Sequence, residues 1–325
     1  MQSVSAYQTQ FIDHLSSLTT IPQESPRNLY EPIAYILNLG GKRIRPILTL
    51  MAAEAFGSSA QVAMHAAVAV EVFHNFTLVH DDIMDGAPLR RGQPAVHQKW
   101  DINAGILSGD AMLIQSYQYL LPYPQKISKQ LFTLFSQTAL EVCEGQQYDM
   151  DFETESEVSL SLYLKMITYK TAVLLGCALQ MGAVVAETSP QNQKAIYEFG
   201  KQLGIAFQLQ DDYLDTFGDP EKFGKQVGGD IIENKKTFLY LKALELATPT
   251  LREELLFLYA HKVGPSEKIE RTKSIFSETE ADSALRKEIL RYTERAMELL
   301  NSIPFDSSAN TCFTELADQL LHRNV

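Results

Sequence analysis

The sequence predicts an all-α protein, a single large helical bundle domain spanning residues 1–325, and three observations support this prediction. Apolar residues recur at spacings of three and four along the long segments, as they do on one face of a helix. Runs that alternate apolar and polar residues between hairpin turns are almost absent. No low-complexity linker or fixed-period repeat divides the chain, and 45% of its residues are hydrophobic, enough for a sizeable core.

Several segments show the helical pattern clearly. It covers Ile33–Leu39, Ile47–Phe56, Val62–Val79 and Ala111–Leu121. Val62–Val79 is apolar nearly all round, which predicts a helix buried among other helices. Thr171–Ala186 is also interpreted as a buried core helix, because it is short for a membrane span and contains Gln180.

Short Gly- and Pro-containing breaks separate these segments, as expected for connections between packed helices. Gly218–Asn234 is the exception, since it is long, rich in glycine and mixed in charge. Long loops in compact domains often serve as lids. The sequence therefore predicts that this segment closes over a functional site.

Charge and composition narrow the class of protein. The net charge of −12 argues against nucleic-acid binding, which needs a basic surface. Three cysteines without metal-ligand spacing suggest neither a disulfide framework nor a zinc site. With no secretory signal at the start, no long apolar span and no basic amphipathic anchor, we expect a cytoplasmic protein without stable membrane insertion.

Two DDxxD motifs, Asp81–Asp85 and Asp211–Asp215, are the strongest chemical signal, and each closes an apolar segment. Helix positions four apart differ by about 40°, so the first and last aspartates of each motif share a face. Such clustered charges destabilise a helix unless cations neutralise them, and Mg²⁺ prefers oxygen ligands. One copy is more often a solvated helix end, but two suggest a metal site. The predicted metal ligands are Asp81, Asp82, Asp85, Asp211, Asp212 and Asp215.

Basic residues accompany both acidic motifs. Gly40–Pro46 reads GGKRIRP, Arg90 and Arg91 follow the first motif, and Lys225 and Lys235 follow the second. Arginine suits bidentate phosphate recognition and lysine acts as a point charge. In so acidic a chain, this placement predicts that metals and cations together hold a diphosphate.

The ordered set of motifs resembles the polyprenyl synthetase family of trans-isoprenyl diphosphate synthases, and in particular the short-chain geranylgeranyl and farnesyl diphosphate synthases. GGKRIRP, both acidic motifs, LRRGQPAVH, KTA and GKQVGGDIIENKKT occur in the family's order between Gly40 and Tyr240. Beyond about residue 245 the match is one of helical character only. The resemblance implies the isoprenoid synthase fold, a helical bundle around a central apolar cavity.

The resemblance also implies an activity. A protein of this kind condenses isopentenyl diphosphate head-to-tail with an allylic diphosphate by ionisation, condensation and proton elimination, using about three Mg²⁺ per active site. In the family, one central aspartate of each motif often does not touch the metal directly. The proton is expected to leave with the departed diphosphate, and the resemblance implies a homodimer.

Individual roles follow from the resemblance. It implies that the allylic diphosphate is gripped by Arg90, Lys170, Lys225 and Lys235. It implies an isopentenyl diphosphate site formed by Lys42, Arg45, His74 and Arg91. It implies that the carbocation is stabilised by oxygens of Thr171 and Gln208. His74 lies within about 20° of Asp81 around a helix, which favours a functional role. His80 and His97 have no such support and are interpreted as structural.

Chain length is expected to depend on bulky residues before the first motif. An aromatic residue five positions upstream, here Phe76, resembles enzymes that stop at C20 or C15. Ideal helix geometry instead places Phe76 about 140° from Asp81, with Thr77 at about 40° and Phe73 at about 80°. Helix curvature could change these angles. Phe76 is kept as the floor residue, with Phe73 as the second candidate.

Three alternative functions stay open. A longer-chain synthase making C30–C40 products shares the same motifs. A class I terpene cyclase also ionises allylic diphosphates, but it needs no second diphosphate site, so Lys42, Arg45 and Arg91 argue against it. A non-catalytic partner subunit usually lacks one acidic motif, and this chain has both.

Overall fold

The structure is a computed structural model and describes residues 1–18, 25–219 and 227–321. The predicted all-α class is confirmed, since helices make up nearly all of the regular structure in these ranges. The first half of the chain contains α1 Val4–Leu18, α2 Arg27–Asn38, α3 Ile44–Ala55, α4 Ala60–Met84, α5 Val96–Lys99, α6 Ile102–Gln118 and α7 Gln125–Thr154.

The second half begins with a long helical stretch interrupted by one π-helical segment, Thr168–Ala172. The helices around and after it are α8 Leu160–Ile167, α9 Val173–Val185, α10 Pro190–Phe217, α11 Gly229–Ile232, α12 Phe238–Leu246, α13 Pro249–Ala260, α14 Pro265–Glu278, α15 Ala281–Ser302 and α16 Ser307–Leu321.

A short antiparallel hairpin follows α4, where the sequence analysis identified only a Gly- and Pro-containing break. Its strands are β1 Leu89–Arg90 and β2 Gln93–Pro94, with Arg90 opposite Gln93. Arg91 and Gly92 form the turn, and both have positive φ. The signal was weak because each strand has two residues, too few for an alternating pattern.

The chain forms two compact units. The first unit contains Met1–Ser136, Cys177–Tyr197 and Phe305–Cys312, and the second contains Gln137–Gly176, Glu198–Pro304 and the residues from Phe313 onward. The single domain over residues 1–325 stays a prediction.

In the first unit, α4 is the central helix and packs against both α3 and α6. Ser59 caps it by accepting a hydrogen bond from the Val62 amide, and side chains on every face of its middle are buried. This confirms the prediction that an all-round apolar segment forms a helix inside other helices. The observed helix extends to Met84, so the first acidic motif lies on its last turn.

In the second unit, a hydrophobic core joins α8, the part of α10 around Ile205 and Leu209, and the helices that follow. Helix α12 packs against α8 and α15, and α14 packs against both α11 and α15. The C-terminal helices, which carry none of the motifs, therefore support the segments that do.

Two helical stretches are long and apolar enough by composition to cross a membrane. They are Ala60–Met84 and Leu160–Val185, and their most apolar windows are 72% and 61% buried inside the protein. Burial to this extent is typical of core helices, as predicted for Thr171–Ala186.

Candidate active site

The first acidic motif divides into outer and middle aspartates. Asp85 ends α4 as its C-cap, and its amide donates to the Asp81 carbonyl at 2.8 Å. Asp81 is half-buried and Asp85 is exposed, whereas Asp82 has no exposed surface. The helix thus turns the outer pair and the middle aspartate to different environments.

Arg90 on β1 is the partner of the buried Asp82 carboxylate. Its Nε donates to Asp82 Oδ1 at 3.0 Å and to Oδ2 at 3.2 Å, and its Nη2 also donates to Oδ1. A buried carboxylate needs such a partner, because leaving it unpaired would cost several kcal/mol. The hairpin therefore fixes one guanidinium beside the motif, with 28% of the Arg90 side chain still exposed.

His74 and Arg45 form a second contact in the same unit. The two side chains join at 3.2 Å between Arg45 Nη1 and His74 Nε2. Burial, and then the positive charges of Arg45 and Arg91, hold the pKa of His74 well below its usual range. The imidazole is therefore neutral, and we infer that Nε2 accepts from the guanidinium.

Lys42 lies in the loop between α2 and α3, and the Arg91 side chain reaches this loop from the hairpin turn. Arg91 Nη1 donates to the Gly40 carbonyl. A Cβ on Gly41 would come within 2.9 Å of Arg91 Cζ, and Gly41 has φ +120°, so only glycine admits this approach. The first unit thus gathers the four residues assigned to isopentenyl diphosphate, with Lys42 exposed at the edge of this loop.

The second acidic motif is built on the last turns of α10. Asp212 is 6% exposed and accepts from Gln208 Nε2 at 3.1 Å and from the Tyr163 hydroxyl. Asp211 and Asp215 are half-buried. Burial, and then the negative charge of Asp230, raise the pKa of Asp212 well above its usual range, while the two hydrogen bonds oppose this shift.

Thr171 continues this hydrogen-bonded chain. Its hydroxyl donates to Gln208 Oε1 at 3.1 Å, so the amide is held between the threonine and Asp212. A threonine in a buried helix can instead bond to its own backbone, but this hydroxyl is directed to Gln208. Because the hydroxyl hydrogen points to Gln208, the oxygen lone pairs are directed elsewhere.

The π-helical segment Thr168–Ala172 carries Lys170 and Thr171, and π-bulges are frequent at functional sites. Close glycine contacts hold it. A Cβ on Gly145 of α7 would lie 2.2 Å from the Lys170 backbone nitrogen, and one on Gly204 of α10 would lie 2.7 Å from Ala172 Cα. These glycines let two helices approach the segment from both sides.

Lys170 pairs with Asp149 of α7. The distance from Lys170 Nζ to Asp149 Oδ2 is 2.5 Å, and the two side chains are 27% and 31% exposed. From the sequence, Asp149 and Gln146 lie three residues apart on one helix, where they either reach the cavity or belong to a solvated acidic face. The structure shows that it holds the lysine assigned to the allylic diphosphate.

Asp230 lies beside the outer aspartate of the second motif. Its backbone amide donates to Asp215 Oδ2 at 3.1 Å, and Gly228, at φ +86°, makes the turn that allows it. Burial and the charge of Asp215 raise the pKa of Asp230 to about 6. Lys235 Nζ is 3.6 Å from Asp230 Oδ1 and 3.0 Å from Glu233 Oε2. Lys225 and much of the predicted lid lie outside the described residues.

Phe73 and Phe76 belong to one aromatic cluster on α4. Their ring centroids are 5.5 Å apart; Phe73 also packs against Phe135 at 5.2 Å, and Phe76 against His80 at 4.8 Å. Phe73 is 1% exposed and Phe76 is 8% exposed. Both rings are therefore held rigidly, and the choice of floor residue stays a prediction.

His80 has a structural environment, as interpreted from the sequence. Its Nε2 lies 3.2 Å from the Ile106 carbonyl, and its ring fills the space where a Cβ on Gly109 would come within 2.2 Å. It thus packs α4 closely against α6.

Among the described residues, no group of three or more His, Cys, Asp or Glu side chains forms a preassembled metal cluster. The composition of the motifs nevertheless fits Mg²⁺. Each motif has its middle carboxylate held by protein donors and its outer pair on one helical face, and Mg²⁺ is usually bound by one or two carboxylates with waters and substrate phosphates.

Four residues with buried or half-buried side chains were not assigned a role from the sequence. Tyr163 and Asp230 touch the second motif, while Arg43 and Glu71 pair with each other in the first unit. Tyr163 lies on an apolar helix that looks like ordinary core, and single acidic residues carry no spacing pattern. Arg43 was visible in GGKRIRP, but nothing in the sequence distinguished it from its basic neighbours.

Comparison with known proteins gives consistent matches along most of the chain. The family model described as polyprenyl synthetase matches residues 26–278. A geranylgeranyl diphosphate synthase from Methanosarcina mazei is 36% identical over 306 residues, covering 93% of this chain and 92% of that protein. A geranylfarnesyl diphosphate synthase from Natronomonas pharaonis is 38% identical over 241 residues, covering 69% of this chain and 71% of that protein.

Solved structures agree with these sequence relatives. A crystal structure of a geranylgeranyl pyrophosphate synthase superposes with a TM-score of 0.95 at 49% identity and covers both chains completely. A geranylgeranyl pyrophosphate synthetase from Pyrococcus horikoshii superposes with a TM-score of 0.92 at 30% identity, covering 99% of this chain and 97% of that one.

Proposed function

The chain belongs to the polyprenyl synthetase family, and we propose that it condenses isopentenyl diphosphate with an allylic diphosphate to give an all-trans C20 prenyl diphosphate. The observation that carries this proposal is the construction of the acidic motifs. Each combines an outer carboxylate pair on one helical face with a middle carboxylate locked by protein donors.

The six motif aspartates are proposed to serve the allylic diphosphate through metal ions. The family uses divalent metal ions, and we propose about three Mg²⁺ per site held chiefly by the outer aspartates Asp81, Asp85, Asp211 and Asp215. When bound, the metals stabilise the negative charge of the leaving diphosphate. Asp82 and Asp212, being buried, are proposed to hold the motif's shape.

Three described cations are proposed to grip the same diphosphate. Arg90, Lys170 and Lys235 each pair with a carboxylate, which fixes its direction in the absence of substrate. Each side chain also keeps some exposure, between 27% and 48%. A positioned, partly exposed cation binds a phosphate oxygen with little reorganisation. Lys225, outside the described residues, is proposed for the same role from its motif.

Isopentenyl diphosphate is proposed to bind at Lys42, Arg45, His74 and Arg91. The Nε of Arg45 is buried and has no hydrogen-bond partner among the described residues. A buried donor of this kind costs about 1–3 kcal/mol unless it is satisfied, so a substrate oxygen is its natural acceptor. The neutral His74 holds the Arg45 guanidinium in place for this contact.

The chemical step is proposed to begin with cleavage of the allylic C1–O bond, whose electron pair leaves with the diphosphate. The Thr171 oxygen, fixed by donation to Gln208, directs lone pairs rather than a hydrogen toward its surroundings and so suits a carbocation. The double bond of isopentenyl diphosphate attacks C1 of the allylic cation. The resulting cation then loses a proton to the departed diphosphate, restoring a double bond.

The product length is proposed to be set by Phe76, with Phe73 behind it in the same cluster. Truncating either ring removes a large buried volume, and the cavity so created admits a longer chain. We expect Phe76→Ala to lengthen the product beyond C20. Unchanged product from both Phe76→Ala and Phe73→Ala would refute the floor assignment.

A homodimer is proposed from the surface of α6. Leu107, Ile114 and Leu121 follow one another at intervals of seven along and just beyond this helix, and they are 59%, 61% and 63% exposed. An apolar row of this kind on a helix favours pairing with a second copy, because each copy then covers the other's row. A cytoplasmic location without membrane insertion is proposed for the same protein.

The proposal is tested by incubating the protein with Mg²⁺, labelled isopentenyl diphosphate and, separately, the C5, C10 and C15 allylic diphosphates. Chain-length analysis of the dephosphorylated products should show C20 as the end point with every primer that is accepted. A C15 end point, or products of C30–C40, would keep the prenyl transfer and overturn the proposed length. No incorporation with any primer would overturn the function itself.

A further inference from the structure

Arg43, Glu71 and Asn75 form a buried polar cluster that has no part in the proposed reaction. Arg43 is 6% exposed, Glu71 is 2% exposed and Asn75 has no exposed surface. Charged side chains are almost never fully buried unless they are paired, because desolvation costs several kcal/mol for each ion. We therefore expect the burial of these polar side chains to have a structural or functional role.

Arg43 joins three helices of the first unit. Its Nη1 donates to Glu71 Oε1 on α4, and its Nη2 donates to the Leu37 carbonyl in the last turn of α2. The last carbonyls of a helix have no partner within it, so this contact satisfies one of them. Arg43 is itself the N-cap residue of α3. One guanidinium thus fixes where α2 ends and α3 begins.

The backbone at Arg43 is unusual for a residue with a side chain. Its φ of 52° and ψ of 35° lie in the left-handed region, which costs about 1 kcal/mol or more for a residue other than glycine. Such a conformation persists only where its surroundings impose it. The buried contacts of the Arg43 side chain supply that restraint at the turn between Lys42 and Arg45.

Residues on one helical turn of α4 contact both Arg43 and Arg45. Glu71 binds Arg43, and His74 accepts from Arg45 at 3.2 Å. Asn75 binds the same carboxylate oxygen of Glu71 as Arg43 does, since its Nδ2 donates to Glu71 Oε1 at 2.9 Å. The direction of Arg45 and that of Arg43 are therefore set by neighbouring residues on one rigid helix.

The same loop also supports Arg91, whose Nη1 donates to the Gly40 carbonyl. All three cations assigned to isopentenyl diphosphate are thereby attached to residues 40–45. Lys42 belongs to this loop, Arg45 follows it in the first turn of α3, and Arg91 binds the loop backbone. The position of the loop decides the geometry of the whole diphosphate site.

We propose that Arg43, Glu71 and Asn75 are positioning residues that hold the 40–45 loop in the geometry needed to bind the diphosphate of isopentenyl diphosphate. This inference rests on the proposed function. Arg43 acts through the loop in this proposal, since its two terminal nitrogens are used by Glu71 and Leu37, while its Nε is buried without a hydrogen-bond partner among the described residues. The cluster acts on one of the two substrates, the homoallylic one.

The test is the pair of variants Arg43→Lys and Glu71→Gln. Lysine keeps the charge of Arg43 but lacks the planar guanidinium that donates in two fixed directions, and glutamine keeps the shape of Glu71 but not its charge. Either change shifts the loop, and we expect the KM for isopentenyl diphosphate to rise about tenfold or more. The KM for the allylic diphosphate should change less than about twofold, since its proposed ligands lie elsewhere.

The matched control uses the exposed pair Arg27 and Glu31 on α2, whose Nε–Oε1 distance is 3.7 Å with 74% and 34% side-chain exposure. Arg27→Lys and Glu31→Gln repeat the two substitutions outside the cluster and should leave both KM values unchanged. A third variant, Asn75→Ala, keeps the Arg43–Glu71 pair while removing the amide that steers it. It should raise the same KM by a smaller factor, about threefold. This milder variant still tests the proposal if Arg43→Lys and Glu71→Gln do not fold.

Two outcomes overturn the proposal. One is a KM for isopentenyl diphosphate that stays unchanged in every folded cluster variant. The other is an equal rise of both KM values, which is what a general loss of structure would produce. Wild-type protein that incorporates no isopentenyl diphosphate refutes the underlying function instead, so the two failures are distinguishable.

Discussion

In the first acidic motif, the buried middle carboxylate of Asp82 is bound by the charged guanidinium of Arg90. In the second, the donors to the corresponding Asp212 among the described residues are neutral, the Tyr163 hydroxyl and the Gln208 amide. The two motifs have the same letters at the same spacing. They therefore share a helical geometry, whereas the partner of the middle aspartate comes from elsewhere in the chain.

The same DDxxD motif is thus stabilised in two different ways in this chain. A charged donor compensates a buried carboxylate directly, so the first motif is an ion pair. Neutral donors compensate less, and burial together with the charge of Asp230 raises the pKa of Asp212. The second motif should therefore be the less stable of the two when no cation is present.

The largest effect is expected at the outer aspartates. Asp81→Asn and Asp211→Asn should each lower kcat by about 100-fold to 1000-fold, since each removes a charge from the proposed metal-binding face. Steady-state assays with saturating Mg²⁺ measure this. Asp13→Asn, at an exposed position of α1, is the control and should be neutral. Near-normal turnover in either variant would show that its motif does not serve the reaction.

A smaller effect is expected for the stability of the middle aspartates. In metal-free protein, Asp82→Asn should lower the free energy of unfolding by about 2 kcal/mol, because Arg90 loses its partner but keeps partial exposure. Asp212→Asn should change it by less than about 1 kcal/mol, or raise it, because a carboxylate held at a raised pKa is replaced by a neutral group. Chemical denaturation with a chelator present gives both values. Equal losses of unfolding free energy in the two variants would contradict the difference in how the two middle aspartates are stabilised.

The neutral support of the second motif should matter less than the charges. Tyr163→Phe removes one hydroxyl donor to Asp212, which is expected to cost about 1 kcal/mol and to lower kcat by about fivefold. Tyr292→Phe, whose ring lies against Arg291, serves as the control for loss of a phenol hydroxyl. A Tyr163→Phe enzyme with wild-type kcat would mean that Gln208 alone positions Asp212.

The smallest effect concerns pH. Asp230 has a pKa raised to about 6 from 3.8, so its carboxylate is disfavoured in the folded state and destabilises it above that pH. The metal-free protein should gain stability relative to an Asp230→Asn variant as pH falls from 7 toward 4. Melting temperatures of both proteins across this range measure the effect. Parallel pH profiles for the two would contradict the assignment.

Periodicity and spacing were sufficient to predict the helical class and to place the outer aspartates of each motif on one helical face. The apolar run of Val62–Val79 identified α4 as a core helix, and i to i+4 geometry placed Asp81 and Asp85 on one face. The motif order identified the family, which the model match over residues 26–278 confirms. These features depend on local geometry, which the sequence encodes directly.

The partners of the motif residues could not be predicted in the same way. Tyr163 lies 49 residues from Asp212, and Arg43 lies 28 residues from Glu71. Such pairs arise from tertiary packing, and no spacing rule links their positions. The π-helical segment that carries Lys170 could not be predicted from the sequence either, because it packs closely against Gly145 and Gly204 of two other helices.

We propose that this chain forms one carbon–carbon bond for each allylic C1–O bond that it cleaves. The most direct measurement follows pyrophosphate release and isopentenyl diphosphate consumption together, with farnesyl diphosphate and Mg²⁺ present. We expect the pyrophosphate released to equal the isopentenyl diphosphate consumed, with formation of a C20 product, and we expect both processes to stop when a chelator is added. Pyrophosphate release without consumption of isopentenyl diphosphate, as in a cyclase or a hydrolase, would contradict it.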